Sequence, residues 1–291
     1  MERLDAAALD IGEGFKRFTT DRLTHAWREA HYAAQVAAEL GKSWGEEQGD
    51  DGHSSFLWFR GEDGRGIEGV PAVKKKYVAR LKLEGLELSI FDKGRTVADF
   101  TLAGHTLADA MAWMDETCTR ELGERRQAAR PAPDLPEHGV AGGDRFTDDP
   151  DGFNDLADLY DATHLVIEKL RGLVPAFGAG RCWPHHFDYA TLGVLATDDA
   201  GAMSKTIGIG ITPPDALDTD GYWYVSPWSR DGVSGSPEYP ALDAGRWVDR
   251  GDGISMAVLP VTALSGEDGR AHTLATFVSQ AFNACAGALD V

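Results

Sequence analysis

The chain has 291 residues, 43% of them apolar and 26% charged. That is the composition of a soluble globular protein, long enough for one large domain or two ordinary ones. Its net charge of −19, from 28 basic against 47 acidic residues, argues against phosphate backbones and anionic membrane surfaces as partners. No apolar run approaches the roughly eighteen residues that a membrane helix needs.

The opening stretch "MERLDAAALDIGEGF" has no secretory leader pattern, and residues 1–19 read as an N-terminal extension. Cys118, Cys182 and Cys285 make neither a disulfide framework nor a metal motif, so reduced thiols and a cytoplasmic location are expected. A first helix is predicted from Thr20 to about Gly41, with Leu23, Trp27, Ala30, Ala34, Ala37 and Leu40 at helical spacing. Thr20 or Asp21 is its expected cap, Gly41 its stop, and His31 lies beside its apolar stripe. An acidic turn leads to a strand "HSSFLWF", then "KKKYVARLKLEG", "LELSIFD" and "TVADFTLA". The basic cluster Val73–Lys82 alternates with apolar residues and reads as a strand face. A second helix begins in "GHTLADAMAWMDETCTREL" and closes a first unit over residues 20–129.

A Pro-, Gly- and Asp-rich linker follows at residues 130–152. Beyond it, residues 153–291 repeat the order. A helix comes first, with Leu156, Tyr160, Thr163, Ile167 and Leu170 on one face. The strand "CWPHHFDYATL" is next, then "KTIGIGIT", "GYWYVSPW" and "GISMAVLPV", and finally a helix opening "AHTLATF". One constant offset pairs His31 with His164 and His53 with His186, and also Leu23 with Leu156 and Phe56 with Tyr189. A longer one pairs His105 with His272 and Cys118 with Cys285, which implies an insertion among the later strands of the second copy. The expected fold is therefore α+β: an internally duplicated helix–antiparallel strands–helix unit packed with pseudo-two-fold symmetry.

Several motifs carry a family resemblance: Ala30-His31, "DGHSSFLW", "FDYATL" after a tryptophan, "GIGITPPD…YWYVSPW", "MAVLPVTAL" and "TLATFVSQAF". In this order and spacing the chain resembles domain-of-unknown-function family 5996, an uncharacterised bacterial family, from about residue 22 onward. The resemblance implies a Phe-Asp pair at Phe187-Asp188. Many family members have a small residue or serine where this chain has His186. It implies no activity.

Read as a strand, residues 182–192 put His186 and Asp188 on one face and His185, Phe187 and Tyr189 on the other. An imidazole and a carboxylate so placed make half of a two-histidine–one-carboxylate site. His53 is the equivalent of His186, and His31 and His164 occupy matching helix positions. His53, His186, Asp188, His31 and His164 are thus the candidate ligands for Zn²⁺, Fe²⁺ or Mn²⁺, and His186, Asp188 and His53 the candidate catalytic residues. A metal-free polar pocket and purely structural hydrogen bonding explain the same residues as well. Trp183, His185, Tyr222, Tyr224 and Trp228 are candidate lining of a small-molecule pocket, or ordinary core. His105 and His272, just before Thr-Leu at helix starts, are read as caps.

"GVSGS" at Gly232–Ser236 lacks the last glycine of a nucleophile elbow, and "GIGITP" lacks a dinucleotide fingerprint. Cys182 has no evident activating cation. The function expected is small-molecule processing in the cytoplasm, with a His/Asp site between the repeats, metal-dependent or acting by acid and base. The alternative is a non-catalytic binding or interaction protein that uses the aromatic residues of the second copy.

Overall fold

A computed structural model describes residues 3–71, 76–124, 135–232, 237–251, 254–265 and 269–291. It is an α+β protein in which the strand ladders among the described residues are antiparallel. The chain divides into two compact units. One comprises residues 21–157 with 181–188; the other comprises 1–20, 158–180 and 189–291. No helix among the described residues is long and apolar enough to cross a membrane.

The helices are α1 (Ala6–Leu9), α2 (Leu23–Trp44), α3 (Leu107–Leu122), α4 (Pro150–Leu173) and α5 (Arg270–Ala288). In the first unit the strands β1 (Phe56–Gly61), β2 (Gly64–Gly69), β3 (Tyr77–Lys82), β4 (Glu87–Asp92) and β5 (Arg95–Thr101) form a meander. The two-residue strand β6 (Arg181–Cys182) adds to its open edge by pairing Cys182 with Phe56. Ile67, Ala79, Leu81, Leu88 and Ile90 are buried, and α2 packs against β2, β3 and α3. The three basic residues before Tyr77 are not fully covered: residues 73–75 of that expected strand face lie outside the described residues.

The apolar stripe expected of α2 is buried throughout, but so is nearly every other residue from Ala30 to Gly41. Small side chains let neighbours approach from several sides, so α2 is the hub of its unit rather than a surface helix. Gly41 is not its stop. The helix runs on to Trp44, and a Cβ at Gly41 would lie 2.1 Å from the His53 carbonyl oxygen. The glycine serves a close approach, not a break. Arg22, with no side-chain cap bond, precedes the helix in place of Thr20 or Asp21.

Two other corrections concern helix starts. Thr106 caps α3 in a reciprocal box with Asp109, so His105 lies outside the cap. His272 lies within the first turn of α5, and Gly269 occupies the cap position. The expected linker is folded where described. It forms a 3₁₀ turn at Gly139–Gly142, bridges Phe146 to Ala103, and passes into α4 at Pro150. Residues 130–134 of it lie outside the described residues, as do 233–236 of "GVSGS".

In the second unit the strands β7 (Tyr189–Thr197), β8 (Met203–Thr212), β9 (Tyr222–Ser229), β10 (Arg246–Asp249) and β11 (Ser255–Pro260) run β10-β11-β9-β8-β7 across their sheet. α5 packs on β8 and β9, and α1 packs on α5. Asn283 accepts from the Leu4 N–H at 2.8 Å and donates to the Leu4 carbonyl at 2.9 Å, which ties down the N-terminal segment. The buried face of α4 holds Tyr160, Thr163, Ile167 and Leu170 as expected from their spacing.

Candidate functional site

Of the expected strand over residues 182–192, Cys182 belongs to β6 and the next strand begins only at Tyr189. Trp183–Asp188 is instead a tight turn. The Trp183 N–H donates to the Asp188 carbonyl at 3.3 Å, and Phe187 N–H returns to the Trp183 carbonyl at 2.6 Å. Pro184 disfavours strand pairing here, and Phe187 adopts a left-handed φ of 53°. His185 and His186 are therefore exposed at the tip, with rings 4.4 Å apart, and do not alternate across a sheet. Phe187 is fully buried against the His31 ring, with centroids 5.4 Å apart and planes 15° from parallel.

His31 explains what holds this turn. Its Nε2 lies 2.9 Å from the Pro184 carbonyl oxygen, and Gln35 one helical turn later donates to the same oxygen. A carbonyl only accepts, so His31 Nε2 carries the proton and is a donor. Burial lowers the His31 pKa to about 4, so the ring is neutral over the physiological range. Burial, then the neighbouring His186, lowers that of His185 as well.

The other expected ligands are placed apart from any common group. His53 sits in a 3₁₀ turn, not a strand, and its Nδ1 accepts the Gln48 N–H at 3.3 Å. His164, in the second unit, has its Nδ1 2.9 Å from the Tyr189 hydroxyl. Asp188 closes the Trp183 turn through its backbone. His31, His53, His186 and Asp188 belong to the first unit. Cys182 is fully buried, and burial raises its pKa well above the usual thiol range, which leaves it inert as a nucleophile.

A different trio does converge. His25, Glu29 and His138 offer ligand atoms that all lie within 4.8 Å of one another. His25 and Glu29 are one turn apart on α2, and His138 enters from the 3₁₀ turn of the supposed linker. Hydrogen bonding fixes the direction of the chain they form. Val140 N–H donates to His138 Nδ1 at 3.4 Å, leaving the proton on His138 Nε2. That nitrogen lies 3.1 Å from His25 Nδ1, which must then accept. His25 keeps its own proton on Nε2, 3.3 Å from Glu29 Oε1.

Glu29 is only 1% exposed, whereas the His25 side chain is 44% exposed. Thr147 secures the carboxylate: its N–H reaches both oxygens, at 3.2 and 3.0 Å, and its hydroxyl donates to Oε2 at 3.0 Å. Burial nonetheless raises the Glu29 pKa, opposed by the Thr147 bonds and by His25. The His138 pKa is lowered by burial, then by His25 and Arg28. A buried carboxylate backing a solvent-reachable imidazole is an arrangement that can hold a cation or move a proton. The His25–Glu29 spacing is visible in the sequence. What hid the trio is His138, which lies in a segment whose composition reads as linker.

No protein-family model, no curated protein and no solved structure matches the chain. The site must be judged on its own chemistry.

The aromatic lining expected around Trp183 and His185 divides between the units, with Tyr222, Tyr224 and Trp228 on β9 of the second. Tyr222 is buried, and its hydroxyl donates to Asp215 at 2.8 Å. Trp223 is core, donating to Thr163 at 2.9 Å. Trp228 is 42% exposed. A separate cleft of about 320 Å³ in the second unit is lined by Asp10, Glu13, Phe15, Arg17, Arg270 and His272, among others.

Proposed function

We propose that the protein processes a small molecule, with Glu29, His25 and His138 as its reactive group. The observation that carries this reading is the buried Glu29 carboxylate set 3.3 Å from the accessible His25 ring, with the Thr147 hydroxyl in contact with both. His25 is the residue that meets the substrate, as base or as ligand to a cation. Glu29 orients it and stabilises its positive form, and Thr147 holds Glu29. The group takes the place of His53, His186 and Asp188 in the expected chemistry. We also infer a cytoplasmic setting, supported by the three free, buried cysteines, and no nucleic-acid partner, supported by the acidic charge.

We infer an internal duplication too. Its support is that α2 and α4 each precede a run of antiparallel strands, and that β1 and β7 open on Phe56 and Tyr189, the residues paired by the first offset. Kinship with family 5996 rests on motif order alone.

The test is to incubate the full chain with a mixture of cellular metabolites and follow depletion by mass spectrometry. Consumption of a metabolite by the native protein but not by His25→Ala supports the reading. Equal consumption by both rejects the site. The second reading, non-catalytic binding, draws on the exposed Trp228 and the half-buried Tyr224, both on β9. It predicts a metabolite that raises the melting temperature, is never consumed, and loses its effect in Trp228→Ala.

A further inference from the structure

We propose that His25 and His138 bind a divalent transition-metal ion, with His25 Nδ1 and His138 Nε2 as its nitrogen ligands and Glu29 as the carboxylate that positions His25. The inference rests on the reading of this trio as the reactive group and names the cofactor it would take.

The geometry is close to what coordination needs. The two nitrogens face each other across 3.1 Å. With Zn–N bonds of 2.0–2.1 Å, that separation corresponds to an N–Zn–N angle of roughly 95–100°. This lies between octahedral and tetrahedral values, so neither ring has to turn over. The ion replaces the proton that now links the rings, standing about 1.3 Å to one side of the line between the two nitrogens. His138 moves its proton from Nε2 to Nδ1, both rings stay neutral, and two bonds are given up: the ring-to-ring bond that the ion replaces and the long 3.4 Å contact from Val140 N–H.

His25 already has the outer partner that a metal-bound imidazole requires. Its Nε2 lies 3.3 Å from Glu29 Oε1 and 3.4 Å from the Thr147 hydroxyl, while both oxygens of that carboxylate are held by Thr147. Such a carboxylate fixes the tautomer and strengthens the ligand. The charged groups that act on the trio are Asp144 and Asp149, the latter paired with Arg22 at 3.0 Å, and Arg28. The His25 side chain is 44% exposed, which leaves coordination positions for water or a substrate. Imidazole ligands select Zn²⁺, Co²⁺, Ni²⁺ or Cu²⁺ over Mg²⁺ and Ca²⁺.

The competing histidine pair is His185 and His186, whose rings are 4.4 Å apart at an exposed turn. This contrast makes the proposal testable by titration calorimetry. The full chain, made without a polyhistidine tag and stripped with chelator, is titrated with Zn²⁺, and Co²⁺ binding is followed by visible absorption. One Zn²⁺ per chain is expected, lost in His25→Ala and in His138→Ala and retained in the His185→Ala/His186→Ala double variant. Glu29→Gln should weaken binding by about 10–100-fold without abolishing it. Circular dichroism and thermal melting establish that each variant is folded, and if an alanine variant is not, His25→Gln and His138→Gln replace it. Binding that survives in His25→Ala and vanishes in the double variant overturns the proposal, as does no binding at all. Metabolite depletion by metal-free protein, absent in His25→Ala, would defeat the ion while leaving the reactive group in place.

Discussion

Helix α2 carries two histidines six positions apart, each with a polar partner one turn further on: His25 with Glu29 and His31 with Gln35. Their fates differ. His31 and Gln35 both donate to one backbone oxygen, that of Pro184, and His31 is 4% exposed and stacked on Phe187. Such a ring is committed as a donor and is nearly shut off from solvent. His25 meets an acceptor-only carboxylate on one side and another imidazole on the other, with its side chain 44% exposed. The same residue type on one helix is thus fixed as structure by a carbonyl and left exchangeable by a carboxylate. Partner chemistry, rather than the presence of histidine, separates the two roles.

The largest effect that can sharpen this contrast is at Phe187. Removing a fully buried aromatic ring should cost about 3–5 kcal/mol in urea unfolding. Phe187→Ala should therefore destabilise the first unit strongly while Zn²⁺ stoichiometry at His25 stays at one. A loss of zinc binding in folded Phe187→Ala would tie the two histidine groups together and break the distinction.

A smaller effect concerns pH. His31 has a folded pKa of about 4 against 6.5 when unfolded, so between those values the unfolded chain binds more protons. The contribution of the neutral ring is complete above about pH 6.5 and is lost as pH falls toward 4. Its full size is of order 3 kcal/mol. Glu29, whose folded pKa is raised, works in the opposite direction, its burial penalty growing as pH rises above 4.5. His31→Gln, which cannot titrate, should flatten the decline in unfolding free energy between pH 6.5 and 4. An unchanged slope would mean that the ring is not held neutral by burial.

Much of the fold was legible from spacing. The buried faces of α2 and α4, and the strands at Tyr77–Lys82, Glu87–Asp92 and Met203–Thr212, follow hydrophobic period and turn residues. β2 was not, because Gly64, Gly66 and Gly69 remove its side-chain alternation; a Cβ at Gly66 would lie 2.1 Å from the Leu81 carbonyl oxygen. The turn at Trp183–Asp188 was missed for a related reason. Trp183, Phe187 and Tyr189 are residue types common in strands, and the left-handed Phe187 leaves no mark in composition. The site was legible by half. His25 and Glu29 stand at helical spacing, but their third member comes from far along the chain, through a segment whose order depends on contacts such as Tyr32 hydroxyl to Pro136 carbonyl at 2.9 Å. Long-range partners of this kind carry no local periodicity.

The most direct measurement is long-range ¹⁵N–¹H correlation of the imidazole rings in metal-free protein, repeated with one equivalent of Zn²⁺. His25, His31 and His138 should begin as tautomers protonated on Nε2, and zinc should shift His25 Nδ1 and His138 Nε2 while His31 is unmoved. Resonance changes confined to His185 and His186, or a His31 ring that responds as His25 does, would contradict the account.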